Sequence, residues 1–514
     1  MAFPTVAVPA AISWDAAGSG NWETAVNWSG DIVPGAADDA TISIAGINTI
    51  TYSGSAGTRT VQSLALTGGN ALSVTGGALT VTAAFSSAGT TSISSGTLTL
   101  SGTSALGGLT LTGGVLDGAG TTVLNGAMTM GNFTSVSLDE GRTLRIAGGA
   151  TLQNNTIQLN ANNTGNPTAG LLVNALGSTI TDNSSSGSNI VSNDFTGTVN
   201  GDNGRSALFT NLGTYTKTGA GSSTISVAMA NSGTININQG SLTLGGSSSG
   251  SITTHAGATI TGAGLLILTS GTHTFDAAST ISTANVTVNG GTTTINGAYN
   301  VSGTSTFTSG TVSMPAVIAS IGSTLVVNGG NADFGANNLT VNALTLSSGS
   351  IRGTGNLTVS AGGTVAFSGG QMLGAGTTIL NPALTMGNFT SIGLDEGRTL
   401  RIAGGATLQN NTIQLNATNT GNPTAGRLEN AVGSTITDNS SSGSNIASTD
   451  FTGTVNGDNG RSALFTNLGT YTKTGAGSST ISVAMANSGT INLNPGSLTR
   501  GGSSSGSITT HTGA

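Results

Sequence analysis

Short runs of alternating apolar and polar residues recur along almost the whole chain. Residues 78–82, 97–100 and 356–359 are typical, and Gly or Ser flanks such runs. Alternation with a period of two places the apolar side chains on one face of a β-strand, and Gly and Ser mark turns. Apolar residues at helical spacing are nearly absent. The pattern predicts an all-β protein built from short strands.

The uniformity of these runs predicts a solenoid. Strands of this kind continue through roughly 450 residues without a change of composition, which is longer than one globular core grows. Aromatic residues make up 4% of the chain, too few for a series of sandwich cores. Gly and Asn allow tight corners, and small apolar residues fill a narrow interior. We therefore predict a right-handed parallel β-helix, a β-solenoid in which each coil pairs with the next.

The chain contains a long internal copy. Residues 118–258 return as residues 374–514, shifted by 256 positions; 15 of the 141 positions differ, which leaves 126 identities. A long repeat indicates a repeat architecture. With this repeat, we divide the chain into an N-terminal cap segment over 1–50 and a solenoid. The solenoid consists of coils over 51–117, copy 1 over 118–258, coils over 259–373 and copy 2 over 374–514.

The differences between the copies predict which side chains are buried. Where one apolar group replaces another of similar volume, we expect a core position; these pairs are Val123/Ile379, Met128/Leu384, Val136/Ile392, Leu176/Val432 and Ile237/Leu493. Where a charge replaces an apolar group, we expect solvent, because a dry interior does not accept an unpaired charge. These exposed or interface positions are Leu171/Arg427, Val173/Glu429 and Leu244/Arg500. Leu171 and Val173 share one strand face, which could form an interface in the first copy only.

Composition excludes several classes of function. The chain has 83 Gly, no Cys, 6% charged residues and a net charge of −7. Such a composition can indicate disorder, but the regular alternation argues for folded strands. The 12 basic residues are scattered, so we expect no nucleic-acid binding. No run reaches the 18 apolar residues of a membrane span, and the first residues lack a basic region typical of a signal peptide.

The first fifty residues differ from the rest and hold all three Trp residues. Such a segment could cap the first coil. It is marked by Trp14-Asp15, Gly18 to Gly20, Asn21-Trp22, Asn27-Trp28, Pro34-Gly35 and Asp38-Asp39. This pattern resembles the N-terminal segment of large bacterial surface proteins of the autotransporter-passenger and repeat-adhesin type. The resemblance implies a structural cap formed by Trp14, Trp22, Asn27, Trp28, Pro34 and Asp38.

A second motif also resembles a segment of these bacterial surface proteins. The segment 211–221, Asn-Leu-Gly-Thr-Tyr-Thr-Lys-Thr-Gly-Ala-Gly, resembles the β-helical repeats of those proteins and recurs at 467–477. The resemblance implies an extracellular or cell-surface bacterial protein. Its partners would be other copies of the chain, associating end to end or laterally, or glycans of a host or neighbouring cell. Because copy 1 continues beyond the point where copy 2 stops, we expect a longer gene product, with its export signal outside this segment.

One charged motif recurs in both copies. It runs from Leu138 to Ile146 and contains Asp139, Glu140 and Arg142. We predict a solvated turn at a corner of the β-helix. The alternative is a carboxylate pair of the kind used by carbohydrate-processing β-helices. Adjacent residues on a strand point to opposite faces, so these two would flank one glycosidic bond only if a loop turned them.

Other candidate chemistry is sparse. The three His residues, His255, His273 and His511, lie far from other ligands at metal spacing and are interpreted as surface residues. Segment 329–337 has a faint likeness to a calcium-binding nonapeptide, but such sites need stacked copies. Segment 201–205, Gly-Asp-Asn-Gly-Arg, and its copy at 457–461 suit a tight turn or a recognition loop. We expect no catalytic residue, metal or cofactor.

Three functions follow. The sequence favours a non-catalytic structural or adhesive protein, an elongated β-helical rod acting as a stalk, adhesin shaft or matrix component, or as the subunit of a self-assembling fibre. A carbohydrate-binding or carbohydrate-processing β-helix is the first alternative. An ice- or crystal-binding solenoid is the second, but it would need Thr-Xaa-Thr on one face of successive coils, and those near Thr292 and Thr304 are not regularly spaced.

Overall fold

The computed structural model describes residues 10–55, 57–163, 165, 167–195, 204–245, 252–451, 460–501 and, for the backbone, 509–511. The chain forms two compact units, Met1–His273 and Thr274–Ala514. Each is a parallel β-solenoid, so the prediction of an all-β solenoid is confirmed; its right-handedness stays a prediction. The only helices among the described residues are short 3₁₀ turns at Ala25–Asn27, Ser29–Asp31, Gly204–Ser206 and Gly460–Ser462.

The strands are short because Gly, Asn and Ser interrupt the alternating runs. In the first unit they are β1 Ala11–Ser13, β2 Gly20–Asn21, β3 Asp39–Ile42, β4 Thr49–Tyr52, β5 Thr58–Val61, β6 Ser63–Leu66, β7 Ala71–Val74, β8 Ala78–Val81, β9 Phe85–Ile93, β10 Thr97–Leu100, β11 Ser104–Leu111, β12 Val115–Asp117, β13 Thr121–Leu124, β14 Met128–Met130, β15 Ser135–Ser137, β16 Thr143–Ile146, β17 Ala150–Leu152, β18 Thr156–Gln158, β19 Leu171–Asn174, β20 Thr179–Asp182, β21 Asn189–Val191, β22 Leu208–Asn211, β23 Thr214–Lys217, β24 Ser222–Ile225, β25 Ala228–Asn231, β26 Thr234–Ile237, β27 Ser241–Leu244, β28 Ile252–His255 and β29 Thr259–Leu268. The strand β30, Thr272–Phe275, includes the division between the units.

The second unit has longer strands before the copied block and short ones within it. They are β31 Thr280–Ile295, β32 Ala298–Val301, β33 Thr304–Ser313, β34 Ile318–Ile321, β35 Thr324–Asp333, β36 Leu339–Arg352, β37 Leu357–Phe367, β38 Gln371–Leu373, β39 Thr377–Leu380, β40 Leu384–Met386, β41 Ser391–Leu394, β42 Thr399–Ile402, β43 Ala406–Leu408, β44 Thr412–Gln414, β45 Arg427–Asn430, β46 Thr435–Asp438, β47 Asn445–Ala447, β48 Leu464–Asn467, β49 Thr470–Lys473, β50 Ser478–Ile481, β51 Ala484–Asn487, β52 Thr490–Leu493, β53 Ser497–Arg500 and β54 Thr509–His511.

Three columns of parallel strands form the walls of the first unit. One column runs through β13, β16, β19, β22, β25 and β28. The second runs through β14, β17, β20, β23 and β26, and the third through β15, β18, β21, β24 and β27. Before the copied block, β5, β8, β10 and β12 form a separate four-stranded sheet. Within these three columns, each strand pairs with the strand three places away in the chain.

The copied block repeats this arrangement within the second unit. There the columns are β39, β42, β45, β48 and β51; β40, β43, β46, β49 and β52; and β41, β44, β47, β50 and β53. The long strand β37 contributes to two columns, because it pairs with β39 through Leu357–Val359 and with β40 through Ala366 and Phe367. Paired positions lie 22 residues apart at Thr121 and Thr143 and 37 apart at Leu171 and Leu208, so extra residues enter as loops while the walls stay regular.

The interior is filled by the second and fourth residues of the four-residue strands. Leu144, Leu172, Phe209 and Met229 occupy paired positions on four successive turns, and all four are buried. Each fully buried side chain of this kind stabilises the fold by about 1.5–3 kcal/mol. Because every turn covers the apolar side chains of the turn before it, the core is a continuous column.

A ladder of asparagine side chains runs along one inner edge of the column. Asn174 Nδ2 donates to Asn211 Oδ1 at 2.7 Å, and Asn211 Nδ2 donates to Asn231 Oδ1 at 2.7 Å. Asn231 Nδ2 lies 3.2 Å from His255 Nδ1. These residues end their strands, where their amides also bond to corner carbonyls such as that of Thr214. Asn430, Asn467 and Asn487 repeat the ladder in the second unit.

A buried ionic cluster lies beside this ladder. The carboxylate of Asp182 accepts hydrogen bonds from the hydroxyls of Tyr215 (2.8 Å), Ser184 and Ser223. The ammonium of Lys217 donates to the carbonyl of Ser184 at 3.2 Å and to that of Gly219. Asp182 and Lys217 have no solvent-exposed surface. Burial lowers the pKa of Lys217, and the nearby Asp182 opposes that shift.

The second unit contains the same cluster. Tyr471 OH donates to Asp438 Oδ2 at 2.8 Å, and Lys473 Nζ lies 3.9 Å from Asp438 Oδ1. Lys473 also donates to the carbonyls of Ser440 and Gly475 at 3.1 and 2.6 Å. Buried charges are tolerated when they are paired and fully hydrogen-bonded. The alternating pattern predicted an apolar interior and did not predict these charges.

Burial corrects part of the predicted core. Met128/Leu384 and Val136/Ile392 are buried as predicted. Leu176 and Val432 are 82% and 79% exposed at a turn, so their assignment to the core was wrong. An apolar exchange is tolerated equally where nothing packs against the side chain. The assignment was also wrong for Val123 and Ile379, which are half-buried on the outward side, and for Leu493, which is exposed although Ile237 is buried.

Leu244 requires the opposite correction. We predicted that it faces solvent, but it is 1% exposed. Its strand β27 pairs with β24 on one side and β29 on the other, and Leu244 stands opposite Leu268. Arg500, the equivalent residue, is exposed on β53, whose pairing among the described residues is with β50. Leu244 is therefore buried because β29 of the neighbouring turn covers it.

Candidate functional surfaces

The three Trp residues form one cluster in the first described turn. The ring centroids of Trp14 and Trp22 lie 5.1 and 4.7 Å from that of Trp28, in edge-to-face arrangements. Trp28 Nε1 donates to the carbonyl of Trp22 at 2.7 Å, and Trp14 Nε1 to that of Gly18 at 3.1 Å. A Cβ at Gly20 would lie 2.9 Å from the Trp14 ring. Gly20 is therefore required for close packing of this cluster.

The other predicted cap residues hold the loops around the cluster. Asn27 Nδ2 donates to the carbonyl of Asn21 at 2.9 Å. Asp38 Oδ2 accepts the backbone N–H of Gly35 at 2.7 Å, which closes the turn that follows the buried Pro34. The strands β1 and β3 of this segment pair with each other, and β3 pairs with β6. The segment is thus joined to the solenoid by regular ladder pairing.

The predicted charged turn exists, but most of its charge is buried. Glu140 has φ 55° and Gly141 has φ 79°, and Arg142 N donates to the Asp139 carbonyl at 2.9 Å. The Asp139 carboxylate accepts the backbone N–H groups of Glu140, Ala161 and Asn162 at 2.8–3.1 Å. The prediction of a solvated turn was therefore wrong. Asp139 instead fastens the loop after β18.

Arg142 points into the interior. Its guanidinium donates to the carbonyls of Leu100, Gly118 and Asp117 at 2.8, 2.8 and 3.1 Å, and to the hydroxyl of Thr122. Burial lowers its pKa to about 10. The side chain satisfies corner carbonyls from two earlier turns. Arg398 has an equivalent place in the second unit, with its pKa also lowered to about 10 by burial.

The two copies of this turn meet different neighbours. Burial raises the pKa of Glu140, and the nearby Asp117 and Asp139 raise it further. Its counterpart Glu396 instead accepts a salt bridge from Arg352, with Nη1 2.6 Å from Oε2. The same sequence therefore has repulsive electrostatics in the first unit and attractive electrostatics in the second.

The predicted interface positions lie on the outward side of β19 and β45. Leu171 and Val173 are half-buried, whereas Leu172 and Asn174 point inward. In the second unit Arg427 is exposed, and Glu429 accepts a salt bridge from Arg401 at 2.9 Å. Val173 stands opposite Arg145, which is the counterpart of Arg401. The exchange of Val for Glu therefore adds a cross-strand ion pair, and a role for this face as an interface stays a prediction.

The remaining sequence candidates give no site. His255 and His273 are buried, so the interpretation as surface residues was wrong for both; the side chain of His511 lies outside the described residues. In segment 329–337, Asp333 Oδ1 accepts the N–H of Gly335 and Asn337 bonds to nearby backbone groups. The first three residues of segments 201–205 and 457–461 lie outside the described part of the chain.

An exposed aromatic turn that the sequence did not single out occurs in both units. Phe133 is 69% exposed and has φ 59°; Phe389 is 71% exposed with the same φ. A left-handed conformation costs a residue with a side chain about 1–2 kcal/mol relative to right-handed backbone. Each Phe lies third in a tight turn, closed by Thr134 N to Gly131 O at 3.1 Å and by Thr390 N to Gly387 O at 3.2 Å. We call these two segments, Gly131–Thr134 and Gly387–Thr390, the aromatic turns.

A buried asparagine holds each aromatic turn. Asn155 Nδ2 donates to the carbonyls of Gly131 and Thr134 at 2.7 and 3.2 Å, while its Oδ1 accepts the N–H of Gln153. Its own N–H donates to Ser188 Oγ at 3.1 Å. Asn411 makes the same bonds in the second unit. Strained backbone persists only where the surroundings determine it, and this amide provides that constraint.

Exposed amides flank each aromatic turn. Asn154 Nδ2 donates to Asn132 Oδ1 at 2.9 Å, and Asn154 Oδ1 accepts the N–H of Ser186 at 2.7 Å. In the second unit Asn410 donates to Asn388 at 2.7 Å. Segments 125–137, 147–158 and 183–188, which form this corner, contain no charged residue. The surface combines an aromatic ring with neutral hydrogen-bonding groups.

The second unit also has an uncharged groove of about 750 Å³. Its floor consists of outward residues on successive turns, Asn331, Ser350, Gln371 and Gly393, which pair in that order. A Cβ at Gly393 would lie 2.8 Å from Ala417 Cβ, so Gly lets the loop after β44 approach. The groove is further lined by Ser348, Ser391, Gln414 and Thr449.

The described residues contain no group of three or more His, Asp or Glu side chains that could hold a metal ion. In the part of the chain that the structure describes, no helix is long and apolar enough to cross a membrane. No protein-family model matches the sequence, and comparisons with curated proteins and with solved structures give no significant match.

Proposed function

We propose that this chain is a non-catalytic extracellular protein that serves as a structural and adhesive shaft, as a cell-surface stalk, an adhesin or a component of a matrix. The N-terminal Trp pattern and the β-helical repeat motif, which resemble bacterial surface proteins, support this location. Other copies of the chain and cell-surface glycans are the partners that fit the proposal.

The observation that carries the proposal is the copied block. Its strands have the same pairing in both units, so β16, β19 and β22 correspond to β42, β45 and β48. The asparagine ladder and the buried ionic cluster are reproduced as well. In a solenoid each turn contacts only its neighbours, so an added block changes length and leaves the cross-section unchanged. Such a block suits a protein whose task is to span distance.

Neither a carbohydrate-processing activity nor an ice-binding array gains support from particular residues. Asp139, the first of the candidate carboxylates, is buried and occupied by three backbone N–H groups, which leaves no flanking pair for a sugar. An ice-binding array requires threonines on successive turns, but the outward Thr292 pairs with Thr311 and the next residue in that column is Asn331. A fibre subunit remains a variant of the shaft.

The test is electron microscopy of the chain and of a variant that lacks residues 118–373. This deletion joins Asp117 to Gly374, which is the counterpart of Gly118, so the local sequence at the junction is nearly preserved. With about 22 residues per turn and about 4.8 Å between turns, the missing 256 residues correspond to about 55 Å. We expect rods of equal width that are shorter by this length.

A concentration series separates the two variants of the proposal. Single rods at all concentrations support a stalk or adhesin shaft, and end-to-end filaments support a fibre subunit. Compact particles, or a deletion variant that has lost its solenoid pairing by circular dichroism, would contradict the shaft.

A further inference from the structure

We propose that the aromatic turns, Gly131–Thr134 and Gly387–Thr390, are two equivalent binding sites for neutral saccharides. Phe133 and Phe389 provide the stacking surface, and the flanking asparagines provide the hydrogen bonds. This inference deepens the adhesive function proposed above and rests on it, because it names the class of ligand that the shaft would hold.

The first argument is the conformation of the phenylalanines. Single exposed apolar side chains are common on protein surfaces and carry no argument by themselves. Leu176, for example, is more exposed than Phe133. The aromatic turns differ because their backbone is also left-handed, a conformation in which a bulky residue is an outlier. Among the described residues, the other side chains larger than Asn at positive φ are the acidic Glu140 and Glu396.

The second argument is that the surrounding structure preserves this conformation. The amide of Asn155 bonds to both ends of the turn and is itself fixed by Gln153 and Ser188. Glycine in place of Phe133 would remove the backbone strain. The fold therefore presents an aromatic ring to solvent where folding alone would favour glycine. Strain held in this way motivates a hypothesis of function.

The third argument is the chemistry around the ring. The oxygen of Asn132 accepts a bond from Asn154, which leaves the NH₂ group of Asn132 for a ligand. Gln153, the adjacent outward residue, is exposed. A neutral sugar presents an apolar C–H face and a rim of hydroxyls, which matches a ring bordered by amides. An anion or a basic peptide would require charged partners, and this corner has none.

The second site adjoins the uncharged groove. Ser391, two residues after Phe389, lines that groove together with Gln371 and Gln414. The corresponding column of the first unit has Ser137 where the second has Gly393. We therefore expect the site at Phe389 to bind longer saccharides better than the site at Phe133, because the groove receives the units beyond the ring.

The test is saturation-transfer difference NMR with the full chain and three probes: methyl α-mannoside, cellobiose and N,N′-diacetylchitobiose, each followed by its longer oligomers. We expect transfer to at least one probe, with the largest effect on the protons of one sugar face. The double variant Phe133→Gly/Phe389→Gly should lose the signal, and Phe133→Tyr/Phe389→Tyr should retain it. Phe389→Gly alone should reduce binding of the longer oligomers more than Phe133→Gly alone.

Controls separate binding from folding and self-association. The glycine variants should have a melting temperature equal to or above that of the parent, since glycine accepts positive φ. Leu176→Ala/Val432→Ala removes exposed apolar groups elsewhere and should leave binding unchanged. The proposal is overturned if no probe gives transfer, if the double glycine variant still binds, or if that variant changes only the sedimentation coefficient, which would make the aromatic turns a self-association surface. None of these outcomes would change the rods that the proposed function predicts for microscopy.

Discussion

The buried ionic cluster gives a prediction that can be worked out in detail. Replacing Asp182 by Ala removes the carboxylate that accepts the hydroxyls of Tyr215, Ser184 and Ser223. It also leaves the Lys217 ammonium in the interior with carbonyl partners only. The variant therefore tests how strongly the fold depends on this buried carboxylate.

The expected loss is large for a single substitution. Removing one partner of a buried ion pair costs about 3–5 kcal/mol, because the remaining charge is uncompensated. Each orphaned donor can add about 1–3 kcal/mol. Ser184 and Ser223 lie 3.3 Å apart through their Oγ atoms and can re-pair with each other. We therefore expect a loss of about 3–5 kcal/mol, confined to the turns around β20, β23 and β24, because solenoid turns are stabilised by their neighbours.

The pH dependence of this loss follows from Lys217. Burial already lowers its pKa, and Asp182 opposes that shift. Without Asp182 the folded-state pKa falls further below the unfolded value, so the unfolded state binds more protons in the window between them. Stability of the variant should then increase as pH rises through that window, and the loss should be smaller at pH 10 than at pH 7.

Hydrogen exchange read by mass spectrometry is the suitable assay, because it reports local opening of each strand. Asp438→Ala is the matched variant and should open the corresponding strands of the second unit only. Asp182→Ala/Lys217→Met should recover at least about 1 kcal/mol, since both charges are then absent. A loss under about 1 kcal/mol in the single variant, or a double variant no more stable than the single one, would refute the reasoning.

Two further predictions use the differences between the copies. Glu140→Gln should raise the melting temperature at pH 7, because the raised pKa of Glu140 means that its ionised form destabilises the fold; below the pKa of an unfolded glutamate the substitution should have little effect. Glu396→Gln should instead lower the melting temperature, because it breaks the salt bridge to Arg352. Equal shifts of the two variants in thermal melts would contradict this assignment. Leu244→Arg should destabilise the first unit by about 3–5 kcal/mol, because it buries an unpaired charge. Val173→Glu should change stability by less than about 1 kcal/mol, because it places a carboxylate opposite Arg145. Urea denaturation measures both, and an arginine tolerated at position 244 would show that Leu244 is not needed in the core.

Some features could be predicted from the sequence because they depend on neighbouring residues in the chain. Alternation in runs such as 97–100 sets which side of a strand is apolar, and Gly-rich corners separate the strands. The same local pattern repeated over hundreds of residues is compatible with stacked coils and with few other folds. For this reason the all-β solenoid could be predicted before any contact was known, whereas the packing of the three Trp rings against one another could not.

Exposure at single positions depended on the tertiary structure. Leu244 and Leu176 are both apolar and both vary between the copies, but one is covered by the next turn and the other lies at a turn tip. Asp182 and Lys217 occupy inward positions of strands whose other residues are Thr, Ile and Tyr, and the two opposite charges lie 35 positions apart in the chain, at paired positions of β20 and β23. Neither distinction exists until the turns are stacked.

The aromatic turns illustrate the same division. The sequence Gly-Asn-Phe-Thr occurs in both copies, but it does not specify the left-handed φ of Phe133 or the buried Asn155 that holds it. By itself the sequence determined the strand period, the corners and the duplication, because these arise from local preferences along the chain. Only the tertiary structure decided which side chains are covered, paired or presented, because that depends on contacts between turns separated by about 20 to 40 residues.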